Sequence, residues 1–367
     1  MRIGSFNVEN LFRRARALNE ATWQQTKPVL EDYKRFCEII AKDTYTAKDK
    51  QDLIRTLLKY NLKDRNAAKE TYFTLREVRE RLFKVPKGQK TPEIVANGRA
   101  DWDGCLDLKR EDVTGEAVEN TAQVIAAVNA DVLGIVEVED RIALQLFSDQ
   151  VLKRYNCAYA HSMVIDGNDE RGIDVGIYSR HPIRSICSNI DAGLPGPRIF
   201  SRDCAEYEIE APSGAPLWLL VNHFKSKGYG DKDASDARRK AQAQEVANIY
   251  RKRGRNHEYV AVVGDFNDTP KSDALAPLLK DTDLKDAMDH DIYRNKPNAR
   301  PGTFGSGSAS NKIDYVLLSP ALWARVRDVD VERHGVWAPK TFPHFETVTG
   351  PLTAASDHAA VWVDVAI

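Results

Sequence analysis

Seven short runs of apolar and β-branched residues recur along the chain, each bounded by residues that favour turns. Valine, isoleucine and aromatic residues dominate these runs, which is typical of strands buried in a sheet. The predicted strands cover residues 2–8, 131–138, 174–179, 217–224, 259–266, 313–319 and 359–366. We therefore expect a strand-rich core.

The sequence between the first two predicted strands, from residue 13 to about 115, is polar and charged and has the spacing of helices. Apolar residues three or four positions apart carry that spacing in two places: Leu53, Leu57 and Tyr60, and Leu75, Val78 and Leu82. A further helix is predicted at about 116–129, directly before the strand at 131. We therefore predict a single domain over residues 1–367 with a helical insertion at 13–115.

The composition of the 367 residues fits a soluble globular protein, with 42% hydrophobic and 29% charged residues. A formal net charge of −1 gives no overall field that would draw the chain to nucleic acid or membrane. No run approaches the roughly 20 apolar residues that cross a bilayer. Because the N-terminus lacks a secretory signal and the five scattered cysteines suit reduced thiols, we expect a cytoplasmic protein without a membrane partner. A secreted form whose leader has been removed is the alternative.

Polar residues that suit metal or phosphate chemistry stand at the boundaries of six of the predicted strands. They are Asn7 and Glu9, Glu137 and Glu139, Asn222 with His223 and Lys225, Asp265 and Asn267, Asp314, and Asp357 with His358. Taken singly, each is equally well explained by turn or capping chemistry. Gathered at one rim of a sheet, however, the acids would repel one another unless a cation lay among them. Oxygen ligands without cysteine favour Mg²⁺, with Mn²⁺ or Ca²⁺ as substitutes.

Six motifs carry a resemblance to a known family, and they occur in the order FNVEN, VEVED, VNHFKSK, GDFNDTP, IDYVLLS and SDHAAV. In this order they resemble the endonuclease/exonuclease/phosphatase superfamily, whose fold is DNase I-like, and its bacterial nuclease branch in particular. The resemblance covers residues 1–12 and about 116–367 and omits the insertion. It implies an α/β fold, a four-layer α/β/β/α sandwich of two mixed β-sheets, and cleavage of phosphoester bonds with Mg²⁺.

The resemblance also implies a role for each residue of the metal and water sites. Glu137 would be the principal metal ligand, with Asn7 and Asp357 beside it. Glu9 would be either an outer metal ligand or an ordinary surface acid. Asp265 would position or deprotonate the attacking water, and Asn267 would hold that water or a phosphate oxygen.

The remaining carried-over roles concern the phosphate. His358 would bind a non-bridging oxygen and be oriented by Asp314, although Asp314 is alternatively a partner of Lys312. His223 would lie near the leaving oxygen as a donor or general acid. The candidate substrate contacts are Asn222 and Lys225 beside His223, and Arg171 and Asp174 in the segment ERGIDVGIYSR.

The substrate is not decided by these motifs. Residues 223–255 hold ten Lys/Arg against four Asp/Glu. This basic segment either contacts a phosphate backbone or forms a solvated helix face. In the second case Arg238, Arg239 and Gln242 point outwards. Three aromatic residues of a long loop either stack on unpaired bases or fix the loop to the core: Trp337, Phe342 and Phe345. Arg13, Arg14 and Arg16 favour an insertion near the substrate cleft.

We therefore expect an Mg²⁺-dependent nuclease that hydrolyses DNA, and RNA as a further substrate, by in-line attack of water. The alternatives are a phosphatase or phosphodiesterase of a small-molecule or lipid phosphoester, or a binding scaffold without catalysis. Endonuclease and exonuclease activity are equally compatible with the sequence, and no oligomeric state is indicated.

Overall fold

The computed structural model describes residues 1–11, 23–63, 72–108, 115–169, 172–227 and 231–367. The chain divides into two compact units. The first consists of Met1–Phe12 and Val113–Ile367, and the second of Arg13–Asp112. Arg13, Arg14 and Arg16 lie outside the described residues, so their predicted place near the cleft stays a prediction.

Twelve of the strands belong to the first unit, and two short sheets belong to the second. The strands are β1 (Arg2–Leu11), β2 (Phe73–Arg79), β3 (Phe83–Lys84), β4 (Glu93–Ile94), β5 (Asp103–Leu108), β6 (Val132–Val138), β7 (His161–Ile165), β8 (Asp174–Ser179), β9 (Ile183–Cys187), β10 (Cys204–Glu210), β11 (Pro216–His223), β12 (Tyr259–Asp265), β13 (Lys285–Asp286), β14 (Asp314–Leu318), β15 (Val326–Glu332) and β16 (Ala360–Val365). The helices are α1 (Trp23–Ile40), α2 (Ala47–Lys59), α3 (Gly115–Val128), α4 (Arg141–Gln150), α5 (Lys232–Gly254), α6 (Ala276–Leu279), α7 (Asp291–Arg294) and α8 (Pro320–Trp323).

Two six-stranded sheets form the first unit, in the orders β15-β16-β1-β6-β8-β7 and β13-β14-β12-β11-β10-β9. Both sheets are mixed, because β1 runs parallel to β6 and β11 runs parallel to β12 while the other pairs are antiparallel. All seven strands predicted from the sequence are present. Their ends agree within one residue, except that β1 continues to Leu11.

The layer order follows from which residues share a hydrophobic cluster. One cluster combines alternate residues of both sheets, including Val132 and Val136 of β6 with Leu219 and Val263 of β11 and β12, so the sheets pack face to face. The outer face of the first sheet is covered by α3 and α4. The outer face of the second sheet is covered by α5 and α6. The first unit is therefore the expected α/β/β/α sandwich of two mixed sheets.

The second unit is not purely helical. It has a buried core of its own to which α1, α2 and the pairs β2–β5 and β3–β4 contribute. Leu53 and Leu57 are fully buried along α2, as their spacing predicted, and Thr46 caps that helix at its N-terminus.

The helix predicted from Leu75, Val78 and Leu82 is wrong. Phe73–Arg79 is a strand paired with β5, and Val78 is 75% exposed although the helical spacing would bury it. Leu82, by contrast, is buried after the strand has ended. The apparent period of three to four residues arises because a strand and the turn after it each supply buried residues.

None of the described helices combines the length and the apolar character that spanning a lipid bilayer requires.

Candidate active site

Three neighbouring strands of the second sheet bring polar side chains together where the strands end. His223 of β11 lies opposite Asp265 of β12, and Asp265 lies opposite Asp314 of β14. Each of the three is two residues from a valine of the core between the sheets: Val221, Val263 and Val316. Because side chains alternate along a strand, the three polar groups extend that same inner face to the rim of the sandwich.

The first sheet contributes Asn7 and Glu137, and Glu137 requires a break in the strand. Val136 packs between the sheets, whereas Val138 packs on the helix side, so the alternation shifts by one residue between them. The pairing of β6 shows the same shift, and Glu137 has a φ of +67°. A bulge of this kind redirects a side chain that regular alternation would turn outwards. Glu137 consequently faces the site.

Asn7 joins the contributions of both sheets. Its Nδ2 donates to Glu137 Oε1 at 3.2 Å and to Asp265 Oδ2 at 3.3 Å, and lies 3.4 Å from His358 Nε2. Asn7 is 1% exposed. The residues predicted from distant motifs therefore meet in one pocket, around a single amide group.

His358 is held by Asp314 and by a threonine that the sequence analysis did not identify. His358 Nδ1 lies 2.9 Å from Asp314 Oδ2, and the Thr303 hydroxyl donates to that same oxygen at 2.7 Å. The Asp314 backbone N–H donates to Thr303 Oγ1 at 3.0 Å. The carboxylate is thus fixed from two sides. Thr303 lies eleven residues before Asp314 in the segment GTFG, and no spacing rule would have identified it.

A second residue missed as a site component is Ser356, directly before Asp357. Its hydroxyl donates to the Asn7 carbonyl at 2.8 Å and accepts from the His358 backbone N–H at 3.0 Å. Ser356 is 1% exposed. It therefore connects Asn7 of β1 to the segment that precedes β16, and its place in the SDHAAV motif was the available signal.

Asn267 and Glu9 form hydrogen bonds with residues of the pocket, and both have a left-handed backbone conformation. Asn267 has a φ of +52° and donates from its backbone N–H to Asp265 Oδ1 at 2.8 Å and from Nδ2 to Oδ2 at 3.0 Å. Glu9 has a φ of +40°, and its Oε2 accepts from the Asp357 backbone N–H at 2.8 Å. Left-handed conformations of non-glycine residues cost free energy and tend to gather at functional sites.

His223 completes the pocket without forming a direct hydrogen bond to its acids. Its Nε2 is 3.8 Å from Glu137 Oε1 and 3.7 Å from Asp265 Oδ2, and the side chain is 2% exposed. Those distances exceed hydrogen-bond length but leave strong electrostatic attraction when the imidazole is charged.

The clustering of acids shifts the pKa values in the pocket. Burial raises the pKa of Asp265 to about 7, with further contributions from Asp314 and Glu137. Burial likewise raises the pKa of Asp357 to about 7, reinforced by Glu9 and Glu137. For His358, burial alone would lower the pKa, but the neighbouring Asp314, Asp265 and Asp357 carboxylates raise it well above its usual range.

The donor set of the pocket suits a hard divalent cation. Ligand atoms of Asp265, Asp314 and His358 lie within 4.8 Å of one another. Oxygen donors dominate the pocket, and carboxylates whose pKa is raised this far are stabilised in their ionised form by a cation. The residues present therefore fit the metal that the sequence analysis expected, without specifying which ion.

Asn222 does not belong to the pocket, contrary to its predicted substrate contact. It neighbours His223, so alternation turns it to the opposite face of the sheet. The residue is fully buried, and its Nδ2 donates to the Leu220 carbonyl at 3.1 Å. The error arose because adjacent residues of one motif were assigned to one site although they lie on opposite faces of a strand.

The other predicted substrate contacts have mixed outcomes. Arg171 lies outside the described residues. Asp174 is 3% exposed and pairs with Val138 across the strands, and it accepts from the Gly167 backbone N–H at 2.7 Å. Its burial raises its pKa to about 7. Lys225 is half-exposed, so contact with a substrate stays a prediction for this residue.

The basic segment at 223–255 is neither a free phosphate-binding strip nor an entirely solvated face. Arg239 and Gln242 are fully buried, so the alternative in which they point outwards is wrong for these two residues. Arg239 Nε lies 3.1 Å from Asp268 Oδ2, and Lys227 pairs with the other oxygen of the same carboxylate. Arg253 pairs with Glu206 at 2.5 Å. Several of these cations are thus neutralised within the protein.

Contacts bear on two further alternatives from the sequence. Lys312 Nζ pairs with Asp286 at 2.9 Å and not with the Asp314 carboxylate, so Asp314 remains available to His358. The half-buried Trp337 lies against the His344 ring of its own loop in a tilted arrangement, with ring centroids 4.9 Å apart. That contact supports a role of Trp337 in fixing the loop.

The sequence profile of the Endonuclease/Exonuclease/phosphatase family matches residues 114–358 of this chain. That match covers more than half of the sequence, and the chain belongs to this family. Members of the family hydrolyse phosphoesters, usually with divalent metal ions, which supports assignment as a hydrolase. No curated protein sequence matches the chain significantly.

Several solved structures are similar to this chain. Truncated TDP2 from Caenorhabditis elegans is 16% identical, with 67% of this chain and 88% of that chain covered and a TM-score of 0.46. A mannosyl-6-phosphatase of Bacteroides thetaiotaomicron is 18% identical, covering 69% and 91% with a TM-score of 0.47. An endonuclease/exonuclease/phosphatase family protein from Leptotrichia buccalis is 17% identical, covering 70% and 95% with a TM-score of 0.48.

Proposed function

We propose that the protein is an Mg²⁺-dependent phosphodiesterase, specifically a nuclease that hydrolyses DNA and accepts RNA as a further substrate. The observation that carries the proposal is the convergence around Asn7 of Glu137, Asp265 and His358, which come from distant parts of the sequence. A buried pocket of acids and imidazoles supports hydrolysis by an activated water. A binding scaffold would have no need of it.

Glu137, Asn7 and Asp357 would hold the metal, with Glu9 at its outer edge. When bound, the ion would neutralise charge on the phosphate oxygens and favour departure of the leaving oxygen. Asp314 and His358 Nδ1 are not assigned as ligands, because their 2.9 Å separation is a hydrogen bond that requires a proton between them. Mn²⁺ or Ca²⁺ would be substitutes for Mg²⁺.

Asp265 is the proposed acceptor of the proton of the attacking water. Its Oδ1 accepts from the Asn267 backbone N–H, whereas its Oδ2 lies towards the other polar groups, 3.7 Å from His223 Nε2 and 4.0 Å from His358 Nε2. A carboxylate whose pKa is raised towards neutrality is a stronger base than an ordinary surface acid. Asn267 Nδ2 would orient that carboxylate through Oδ2.

The two imidazoles would act on phosphate oxygens. Asp314 binds Nδ1 of His358, which leaves Nε2 directed at the pocket, 3.6 Å from Asp357 Oδ1. A protonated His358 would donate from Nε2 to a non-bridging oxygen and stabilise the charge that develops there. His223 Nε2 would donate to the leaving oxygen.

Nucleic acid is the proposed substrate class because the motif set resembles the nuclease branch and Lys225 directly follows the His223 motif. One observation favours a small phosphoester as the second candidate. Lys227, Arg239 and Arg253 already pair with acids of the protein, which reduces the positive charge available to a long phosphate backbone.

A substrate panel tests the proposal. The purified protein should cleave plasmid or single-stranded DNA with Mg²⁺ and lose that activity in EDTA. RNA, a small phosphodiester and a phosphomonoester complete the panel. Turnover of the small esters with no cleavage of any nucleic acid would replace the nuclease proposal with the second candidate.

Matched variants separate catalysis from folding. Glu137→Gln should lower kcat on DNA by at least about 100-fold, since removing one preorganised charged group commonly costs that much. Glu208→Gln is the control, because Glu208 is also a half-buried strand residue but lies opposite Trp218, five residues from His223. Equal activity of wild type and Glu137→Gln would refute the assigned metal carboxylate.

A further inference from the structure

Arg333 is a buried cation that no carboxylate neutralises among the described residues. It is 8% exposed. Its Nη2 donates to the Tyr293 hydroxyl oxygen and to the Arg300 carbonyl, both at 3.1 Å. The buried Nη1 has no hydrogen-bond partner in the described part of the chain. The guanidinium is therefore held in place by neutral oxygens while one of its donor groups stays unused.

A second guanidinium lies beside it with the same kind of surroundings. Arg300 is half-buried, and its Nη2 donates to the Thr341 carbonyl at 2.7 Å. The Phe342 ring lies 5.8 Å from the Arg300 guanidinium carbon and 6.0 Å from that of Arg333. No ion pair of Arg300 with a described residue is present. The two cations thus share an aromatic ring and polar groups but no counter-charge.

A bound anion would satisfy the free donor of Arg333 and neutralise the buried charge. A buried charge without a partner costs several kcal/mol, and an unsatisfied buried donor costs about 1–3 kcal/mol more. Gly307 also keeps a side chain away from this donor, because a Cβ there would lie 3.1 Å from Arg333 Nη1, closer than an ordinary contact. Gly307 has a φ of +70°, a conformation that glycine adopts without strain.

The strand register puts Arg333 at the active-site end of β15. Glu332, the last residue of β15, pairs with Ala360 at the start of β16. Arg333 follows Glu332 on the side towards His358, which lies two residues before Ala360. Adjacent strands are about 5 Å apart, so the backbone of Arg333 runs beside the segment that carries the catalytic imidazole.

The loop that covers Arg333 also contacts the pocket. The Gly305 N–H donates to the Asp357 carbonyl at 2.8 Å, and the Phe304 ring lies 5.0 Å from the His358 ring. Gly307 is three residues from Phe304, a span of at most about 10 Å. A phosphate group bound between this loop and the two arginines would therefore lie near the same rim of the sandwich as the reacting phosphate.

We propose that Arg300 and Arg333 form a phosphate-binding subsite that holds a second phosphate group of the substrate, next to the one that is hydrolysed. Guanidinium groups bind phosphate through paired, charge-assisted hydrogen bonds, for which their planar fork is suited. This inference rests on the proposed function and deepens it. It makes the enzyme select esters that carry two neighbouring phosphates over esters with one.

Phosphate binding without divalent metal tests the subsite independently of catalysis, because the acidic pocket then repels anions. Calorimetric titration with inorganic phosphate in EDTA should show saturable binding to the wild-type chain and at least about tenfold weaker binding to Arg300→Gln, as expected for a charge-assisted hydrogen bond. Arg333→Gln serves as a second variant if its melting temperature is retained. Absence of saturable binding to the wild-type chain would overturn the subsite.

Arg325→Gln is the matched control, because it removes the same charge from the opposite end of β15, about 25 Å away. Arg325 donates to the Ala321 carbonyl at 3.0 Å and lies 5.1 Å from the Tyr259 ring. Its phosphate binding should equal that of the wild type. An equal loss in Arg325→Gln and Arg300→Gln would show a general charge effect and refute the assignment.

Kinetics with Mg²⁺ decide whether the bound phosphate belongs to the substrate. Arg300→Gln should raise KM for a thymidine tetranucleotide about tenfold or more and leave kcat/KM for bis(4-nitrophenyl) phosphate, which has one phosphate, within about twofold. Unchanged KM for the tetranucleotide despite lost phosphate binding would refute the substrate role in favour of a free anion. Wild-type inactivity on both esters with intact phosphate binding would contradict the proposed function and support the subsite.

Discussion

Replacing Asp265 by asparagine should stabilise the metal-free protein while abolishing its activity. Asp265 is 1% exposed, and burial raises its pKa from 3.8 to about 7. One pKa unit corresponds to about 1.4 kcal/mol, so the ionised carboxylate destabilises the fold by about 4 kcal/mol. The ordinary carboxyl of the unfolded chain titrates near pH 4. The destabilisation is therefore absent well below pH 4 and complete above pH 7.

Lost hydrogen bonds offset part of this gain. Asp265 Oδ2 accepts from Asn267 Nδ2 at 3.0 Å and from Asn7 Nδ2 at 3.3 Å. An asparagine amide group at that position would face two donors, which costs about 2 kcal/mol for the two bonds. The net gain of Asp265→Asn should be about 2 kcal/mol at pH 8, and at pH 5 the variant should be slightly less stable than the wild type.

Urea unfolding followed by tryptophan fluorescence, in EDTA at pH 5 and pH 8, measures the difference in unfolding free energy between Asp265→Asn and the wild type. Asp268→Asn is the control with the opposite sign: burial alone would raise the pKa of Asp268, but Lys227 and Ser272 lower it. That variant should lose about 3 kcal/mol, because it removes one of the two carboxylates, Asp268 and Asp236, that neutralise the fully buried Arg239. Excess Mg²⁺ should stabilise the wild type by about 2.7 kcal/mol at 100 times Kd. A lower urea midpoint of Asp265→Asn than of wild type at pH 8 in EDTA would refute the reasoning.

Three further substitutions test other parts of the site. Thr303→Val should lower kcat about tenfold by freeing the Asp314 carboxylate, as one charge-assisted hydrogen bond implies, and Thr303→Ser should restore it; equal rates of the two variants would contradict the role. Gly264→Ala should lower the urea-derived stability by about 3 kcal/mol or more, because φ is +136° and the new Cβ would lie 1.9 Å from the Asn222 carbonyl oxygen. Ser356→Ala should cost about 1–3 kcal/mol in thermal or urea unfolding, and an unchanged midpoint would show that its two hydrogen bonds are replaced by water.

The sequence could predict the strands whose two faces are both buried. Apart from the terminal Asp265 and Asp314, β12 and β14 have no charged residue, and both are buried along their whole length, so continuous apolar runs identify them. β15 was missed because Val326, Val329 and Val331 are separated by charged residues, which breaks the run without breaking the strand. β10 was missed for a related reason, since its buried Glu206 is neutralised by Arg253 only in the folded chain.

The site was predictable to the extent that its chemistry stands at strand ends. The regular alternation of side chains along a strand explains why Asp265 faces the pocket and why Asn222 points to the opposite face of the sheet. It does not account for Glu137, which reaches the pocket through a bulge that no residue pattern indicates. Thr303 is similarly unpredictable from sequence, because its contact with Asp314 depends on a loop that returns to the start of β14.

The three-way contact of Asn7 has a consequence for how activity is acquired during folding. Glu137 belongs to one sheet and Asp265 to the other, so neither sheet alone contains a complete pocket. Formation of either sheet on its own can restore secondary structure but not turnover. Refolding followed in parallel by circular dichroism and by hydrolysis should therefore show catalysis returning only with the step that docks the sheets.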